Sequence, residues 1–248
     1  MIIDAHIHIG SFSVAYPFAE SRTEKVIQML KDEEVDYALT SSAKALHHDC
    51  SQGNKEVLEA SKKYKQIIPY VVVNPWHREY ALKELEQCLQ NGYVGVKLHP
   101  NCHNYPLDSR LAEPVLELCQ EQKIPILTHS QGDCRLSGAG AIRAVAQKFP
   151  DLTLIAGHGG IFSDREVAQV VADYRQLYLE ISVEYEAGKL ERTIEMVGPD
   201  RMMFGSDCPL HHPSVMLQRL RVAKLTKEEE EQILWKTAQK VFSLELPD

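Results

Sequence analysis

Several common signatures are missing from this chain of 248 residues. Its six cysteines, Cys50, Cys88, Cys102, Cys119, Cys134 and Cys208, form no C-x-x-C pair. They read as scattered reduced thiols of a cytoplasmic protein, not as a disulfide framework. No apolar run is long enough to span a bilayer, so no membrane partner is expected. The N-terminus lacks the basic-then-apolar order of a secretory signal, and cytoplasm is the expected location. An excess of positive charge is also missing. The formal net charge is -8, which weighs against a general nucleic-acid binder. Small anionic substrates stay open, because a site can be locally positive. Neither G-x-G-x-x-G nor G-x-x-x-x-G-K-[ST] occurs, which removes the usual phosphate-cradling turns of a doubly wound sheet. No low-complexity stretch or linker divides the chain, so residues 1–248 read as one domain.

What is present is repetition. Short β-rich runs recur at Ile2–His6, Val35–Leu39, Ile67–Val73, Val94–Leu98, Pro125–His129, Leu152–His158, Leu177–Val183 and Arg201–Asp207. Each has the length of a buried strand. Amphipathic helical stretches separate them, as at Val26, Met29 and Leu30 or at Val115, Leu116 and Cys119. Ser21-x-x-Glu24, Ser163-x-x-Glu166 and Thr226-x-x-Glu229 read as capping boxes. Pro114 reads as a helix opener. Eight strands alternating with eight helices in about 250 residues is the arithmetic of a single (β/α)8 TIM barrel in the α/β class. Thr226–Leu246 then forms a C-terminal helical extension.

The 11 histidines are unevenly placed. All fall at the C-terminal end of a strand or in the loop after it, on segments covering about a third of the chain. Barrel enzymes build their sites at that face. A simple preference of histidine for loops does not explain why none lies in the opposite set of loops.

His6-x-His8 is the sharpest signal. Residues two apart on a strand share a face, and two imidazoles projecting together make half of a divalent-metal site. His129, His158 and Asp207 end the fifth, sixth and eighth runs. Alone, each could be a hydrogen-bonded core residue. Together with the pair on the first strand they form a ring about one axis. Lys97 and His99 share one face of the fourth strand and reach toward the same place. Lys97 and Arg135 are candidates for gripping a substrate carboxylate. Phe12, Tyr16, Phe18, Trp76, His77, His103, Tyr105, His211 and His212 lie on the following loops and are candidates for the pocket wall.

Asp4-Ala-His-Ile-His, Gly95-Val-Lys-Leu-His-Pro100, Pro125-Ile-Leu-Thr-His129, Ile155-Ala-Gly-His-Gly-Gly160 and Phe204-Gly-Ser-Asp-Cys-Pro209 together resemble the amidohydrolase superfamily. The likeness is to its amidohydrolase-related branch (amidohydrolase 2), which includes aminocarboxymuconate-semialdehyde decarboxylase-like enzymes. It runs nearly end to end. The resemblance implies metal ligands at His6, His8, His129 and Asp207, usually for one Zn2+. It implies a catalytic role for His158 beside the metal-activated water, with Asp207 also carrying its proton. Lys97, carbamylated in other branches, would support a second ion; Mn2+ or Fe2+ are alternatives to zinc. Because the first strand begins at residue 2, no N-terminal β-sandwich is expected before it.

The expected activity is metal-dependent hydrolysis of a small, carboxylate-bearing amide, ester or lactone. Decarboxylation of a small unsaturated or aromatic acid is the alternative. A TatD-like deoxyribonuclease or phosphoesterase also begins with H-x-H, but it typically carries a strand-4 glutamate where this chain has Lys97. A non-enzymatic barrel predicts a broken ligand set, and this set is complete. The expected partner is a small-molecule substrate, with a homodimer compatible with the sequence.

Overall fold

The computed structural model describes the whole chain except residues 13–15, 17–18, 133, 162–163, 184–185, 187 and 247–248. Phe18 and the Ser163 cap therefore lie outside the described residues. Eight strands, β1 (Ile3–Ile9), β2 (Tyr37–Ser42), β3 (Ile67–Val72), β4 (Gly95–Leu98), β5 (Ile126–Thr128), β6 (Leu154–Ala156), β7 (Leu177–Glu180) and β8 (Met202–Met203), form one parallel sheet in sequential order. A helix of 9–14 residues follows each strand. The edges meet where Ala5 N–H donates to Phe204 O (2.8 Å), Asp207 N–H to His6 O (2.8 Å) and His8 N–H to Cys208 O (2.7 Å). This is the expected barrel. Among the described residues, no helix is long and apolar enough to cross a membrane.

The core divides by the direction side chains face. Ala5, Leu39, Tyr70, Leu127, Ile155 and Met203 fill the barrel interior, closed from below by Ala238 and Phe242 of the C-terminal extension. Tyr70 and Phe242 meet edge-to-face at 5.3 Å. Ile7 and Ile9 instead face outward, onto Val26, Ile27 and Leu30 of the first helix. Strict alternation would put His6 on the side opposite Ala5. The β1–β2 register slips between Asp4 and Ile7, where three steps on β1 match two on β2. This bulge inserts one residue and resets the phase. Ile3 and Ala5 can then pack inside the barrel below, while His6 and His8 point inside above.

Six strands, β3 to β8, are shorter than the sequence pattern suggests, and β5, β6 and β8 end before His129, His158 and Asp207. Beyond the ends of β6 and β8, His158 and Asp207 take left-handed conformations, with φ of 61° and 60°. Such values are uncommon for residues with a Cβ and mark positions held by their surroundings. The Thr226–Glu229 capping box forms as read, and Pro114 lies in the first turn of Glu113–Glu121. The Ser21 box does not form. That helix starts at Thr23 with Arg22 as its cap residue, because the Glu24 carboxylate reaches Lys63 Nζ at 3.1 Å instead of folding back.

Candidate metal centre

The C-terminal ends of the strands surround a cavity of about 440 Å3. Seven histidines line it: His6, His8, His47, His99, His129, His158 and His211. Lys97 and Asp207 share its floor, and Phe12 and Tyr16 stand on its wall. Trp76, His77, His103, Tyr105 and His212 are not among the lining residues. Trp76 Nε1–H instead donates to the His103 carbonyl (2.9 Å), and Tyr105 is fully buried in the outer core.

Arg135 corrects the sequence reading in the same way. Its guanidinium is exposed, pairs with Asp108 at 2.6 Å and does not line the cavity. An accessible anion outside the barrel holds it there. Lys97, in contrast, is fully buried.

Among the described residues two groups bring three donor atoms within 4.8 Å of one another, His6, His158 and Glu180, and the trio His6, His8 and Asp207. Asp207 Oδ1 lies 3.1 Å from His8 Nε2 and 3.6 Å from His6 Nε2. The outer nitrogens of both rings are already engaged. Glu180 Oε2 is 2.7 Å from His6 Nδ1, and Ser41 Oγ is 2.9 Å from His8 Nδ1. With those positions taken, both Nε2 atoms converge on the carboxylate. His129 stands beside this trio: its Nδ1 faces His158 Nε2 at 3.0 Å, and its ring stacks on His99 at 4.2 Å. His158 Nδ1 meets Ser182 Oγ at 2.8 Å and lies 4.0 Å from Asp207 Oδ2. Lys97 Nζ is 2.7 Å from His6 Nε2.

The electrostatics follow from burial. It holds His6, His99 and His158 well below the usual histidine range, with the Lys97 charge adding to the effect on His6. His129 is pushed down to about 4, by burial first and Lys97 second. These imidazoles are therefore neutral at pH 7, as metal ligation requires. Burial alone would raise Asp207. The His8 hydrogen bond and the electrostatic interactions with His158, His8 and Lys97 together outweigh it and bring the carboxyl down to about 2. Burial pushes Lys97 downward, against the pull of Asp207 and Glu180.

Glu180, Ser182 and Ser41 were not singled out from the sequence. Glu180 carried a readable signal, a carboxylate ending the apolar run Leu177-Tyr-Leu-Glu180. That is the same pattern that marked Asp207, since a buried acid is costly unless partnered. Three residues of the Phe204-Gly-Ser-Asp-Cys-Pro209 segment also acquire a meaning. At Gly205 a Cβ would overlap the Glu180 carboxylate. Ser206 binds Asp4 through its hydroxyl (2.5 Å) and its N–H (3.0 Å). Asp207 then enters the trio.

A parallel barrel with a buried histidine–carboxylate cluster at the carboxyl ends of its strands has the architecture of a barrel enzyme. The chain belongs to the amidohydrolase family, whose Amidohydro_2 model matches residues 3–244, and it is an enzyme of that family. No curated protein matches it in sequence. Solved structures share the fold at low identity. A TIM-barrel protein from Bordetella bronchiseptica superposes with a TM-score of 0.81 at 17% identity, covering 98% of each chain. A dihydroxybenzoic acid decarboxylase from Polaromonas, with bound manganese and 2-nitroresorcinol, gives 0.79 at 16%, covering 99% of this chain and 98% of that one. A protein named as a probable 2-pyrone-4,6-dicarboxylic acid hydrolase, from Acinetobacter baumannii with bound citric acid, gives 0.74 at 15%, covering 98% and 99%.

Proposed function

We propose that this enzyme is a metal-dependent hydrolase of small carboxylate-bearing amides, esters or lactones. The observation that carries the reading is the convergence of His6 Nε2, His8 Nε2 and Asp207 Oδ1, with the outer nitrogens of both rings occupied by Glu180 and Ser41. Two neutral imidazoles and an ionised carboxylate are the donor chemistry of a zinc-type site, and their engaged outer nitrogens are its usual support. His129, which lines the same cavity, supplies the fourth ligand in this reading, with one Zn2+ preferred over Mn2+ or Fe2+. A divalent ion held there polarises a carbonyl and acidifies a water, which is what a base as weak as Asp207 requires.

The chain's own groups divide the remaining work. Oδ1 of Asp207 faces the two histidines, while Oδ2 is turned toward His158 and is the oxygen assigned to proton transfer. His158, neutral and fixed by Ser182, orients the reacting oxygen. Lys97, the one lysine or arginine among the lining residues, anchors the substrate carboxylate. The cavity volume suits a small molecule.

Lys97 also supports the second reading. A cation buried beside the trio could hold a carboxylate that departs as carbon dioxide. Elemental analysis of the pure protein, followed by a screen of lactones, amides and aromatic or unsaturated acids, tests both. Release of a carboxylic acid from a lactone or amide supports hydrolysis, and release of carbon dioxide supports the alternative. Protein that neither carries nor takes up a divalent ion refutes both.

A further inference from the structure

Glu180, fully buried at the end of β7, is surrounded by hydrogen-bond donors. Its Oε1 accepts from the Ser182 backbone N–H. Its Oε2 accepts from the His158 backbone N–H (3.1 Å) and the Ser182 hydroxyl (3.0 Å), and lies 2.7 Å from His6 Nδ1. These contacts constrain proton positions well beyond Glu180. A carboxylate only accepts, so His6 carries its proton on Nδ1 and keeps a lone pair on Nε2. The other side of the ring agrees. Lys97 Nζ is 2.7 Å from Nε2, and an ammonium only donates.

The Ser182 hydroxyl has one proton. When it goes to Glu180, the Ser182 oxygen accepts from His158 Nδ1–H at 2.8 Å. His158 Nε2 is then an acceptor and takes the Nδ1–H of His129 at 3.0 Å. His129 is left with a lone pair on Nε2, which the Gln131 side chain, 3.4 Å away, then meets with its amide NH2 turned inward in place of its oxygen. Reversing the Ser182 hydroxyl would reverse both later bonds and place a hydrogen on His129 Nε2, which then could not ligate.

We propose that Glu180, acting directly on His6 and through Ser182 on His158 and His129, is a positioning residue that sets all three histidines in the Nδ1–H tautomer. The consequence for metal binding rests on the proposed centre, but the relay itself does not. Gly205 belongs to the same arrangement, since any side chain there would displace the Glu180 carboxylate.

The test uses metal-free protein labelled with 15N-histidine, with ring tautomers read from nitrogen chemical shifts. Zn2+ is then titrated into the same samples. Wild type should show Nδ1–H at His6, His129 and His158. Glu180→Gln keeps the shape of the side chain. Both oxygens accept a backbone N–H, so the amide NH2 opposes a backbone donor at either position, and at the Oε2 position it also donates to His6 Nδ1. The His6 proton should move to Nε2, and Zn2+ affinity should fall about 10- to 100-fold. Ser182→Ala should leave the His6 tautomer unchanged and release the fixed polarity of His158 and His129. Wild-type His6 protonated on Nε2, or a Glu180→Gln protein with wild-type tautomers and Zn2+ affinity, overturns the proposal. Wild type with three Nδ1–H rings and no Zn2+ uptake upholds the relay and refutes the metal centre.

Discussion

Asp4 joins the two ends of the barrel, and its replacement separates hydrogen bonding from charge. Its Oδ1 accepts from the N–H groups of His6 (3.1 Å) and Ser206 (3.0 Å), and its Oδ2 meets the Ser206 hydroxyl at 2.5 Å. All of this is buried. Asp4→Ala leaves two backbone donors without an acceptor beside the β1 bulge. At about 1–3 kcal/mol for each unsatisfied buried group, the loss should be about 3–5 kcal/mol. Asp4→Asn keeps Oδ1 for both N–H groups, and its amide can donate to the Ser206 oxygen. It should fall within about 1 kcal/mol of wild type at neutral pH.

The pH dependence adds a second check. Burial, opposed by the Ser206 and His6 hydrogen bonds, raises the Asp4 carboxyl from 3.8 to about 7. A raised carboxyl contributes stability that is complete below about pH 4 and is lost as pH rises to 7. The span corresponds to about 4 kcal/mol as an order of magnitude. Asparagine has no such dependence, so the balance should move toward Asp4→Asn as pH rises from 4 to 7. Urea unfolding of the three proteins across that range measures both effects. Equal stability of the Ala and Asn variants would show that the acceptor role is wrong. A shift toward wild type with rising pH would show that the carboxyl is not raised.

Alanine at His6, His8 or Asp207 should lower bound metal to below a tenth of wild type and abolish turnover, by elemental analysis and assay; His158→Ala should lose turnover and retain most of the metal. Gly205→Ala forces a methyl group onto the Glu180 carboxylate and should cost about 1–3 kcal/mol in thermal unfolding; an unchanged melting temperature would contradict the packing. Arg135→Ala should leave KM within about twofold, since a surface pair such as Arg135–Asp108 is worth little and lies away from the cavity. Acid should destabilise the fold between about pH 6.5 and 4. Buried His6, His99, His129 and His158 refuse protons that the unfolded chain accepts, and the fall of His129 from 6.5 to about 4 alone corresponds to about 3 kcal/mol. The raised carboxyls of Asp4 and Glu180 oppose this but are fewer; a urea midpoint that rises on acidification would refute it.

Local order determined much of this protein. Strand and helix periods act over a few residues, so the eight repeats, the Thr226 cap and the common face of His6 and His8 were legible in the chain itself. The positions of His129, His158 and Asp207 just beyond apolar runs were legible for the same reason. The resemblance to amidohydrolases required only that these segments occur in order. Other features depended on which residues the closed barrel brings together. The bulge that turns both Ala5 and His6 inward is a mismatch between β1 and β2, not a pattern within β1. Arg135 looked suited to a substrate until Asp108 was found beside it. Glu180 ends an apolar run as Asp207 does, but its partner, His6, lies 174 residues away in sequence. Sequence order sets which side chains face inward together along one strand. Barrel closure decides which of them share a proton.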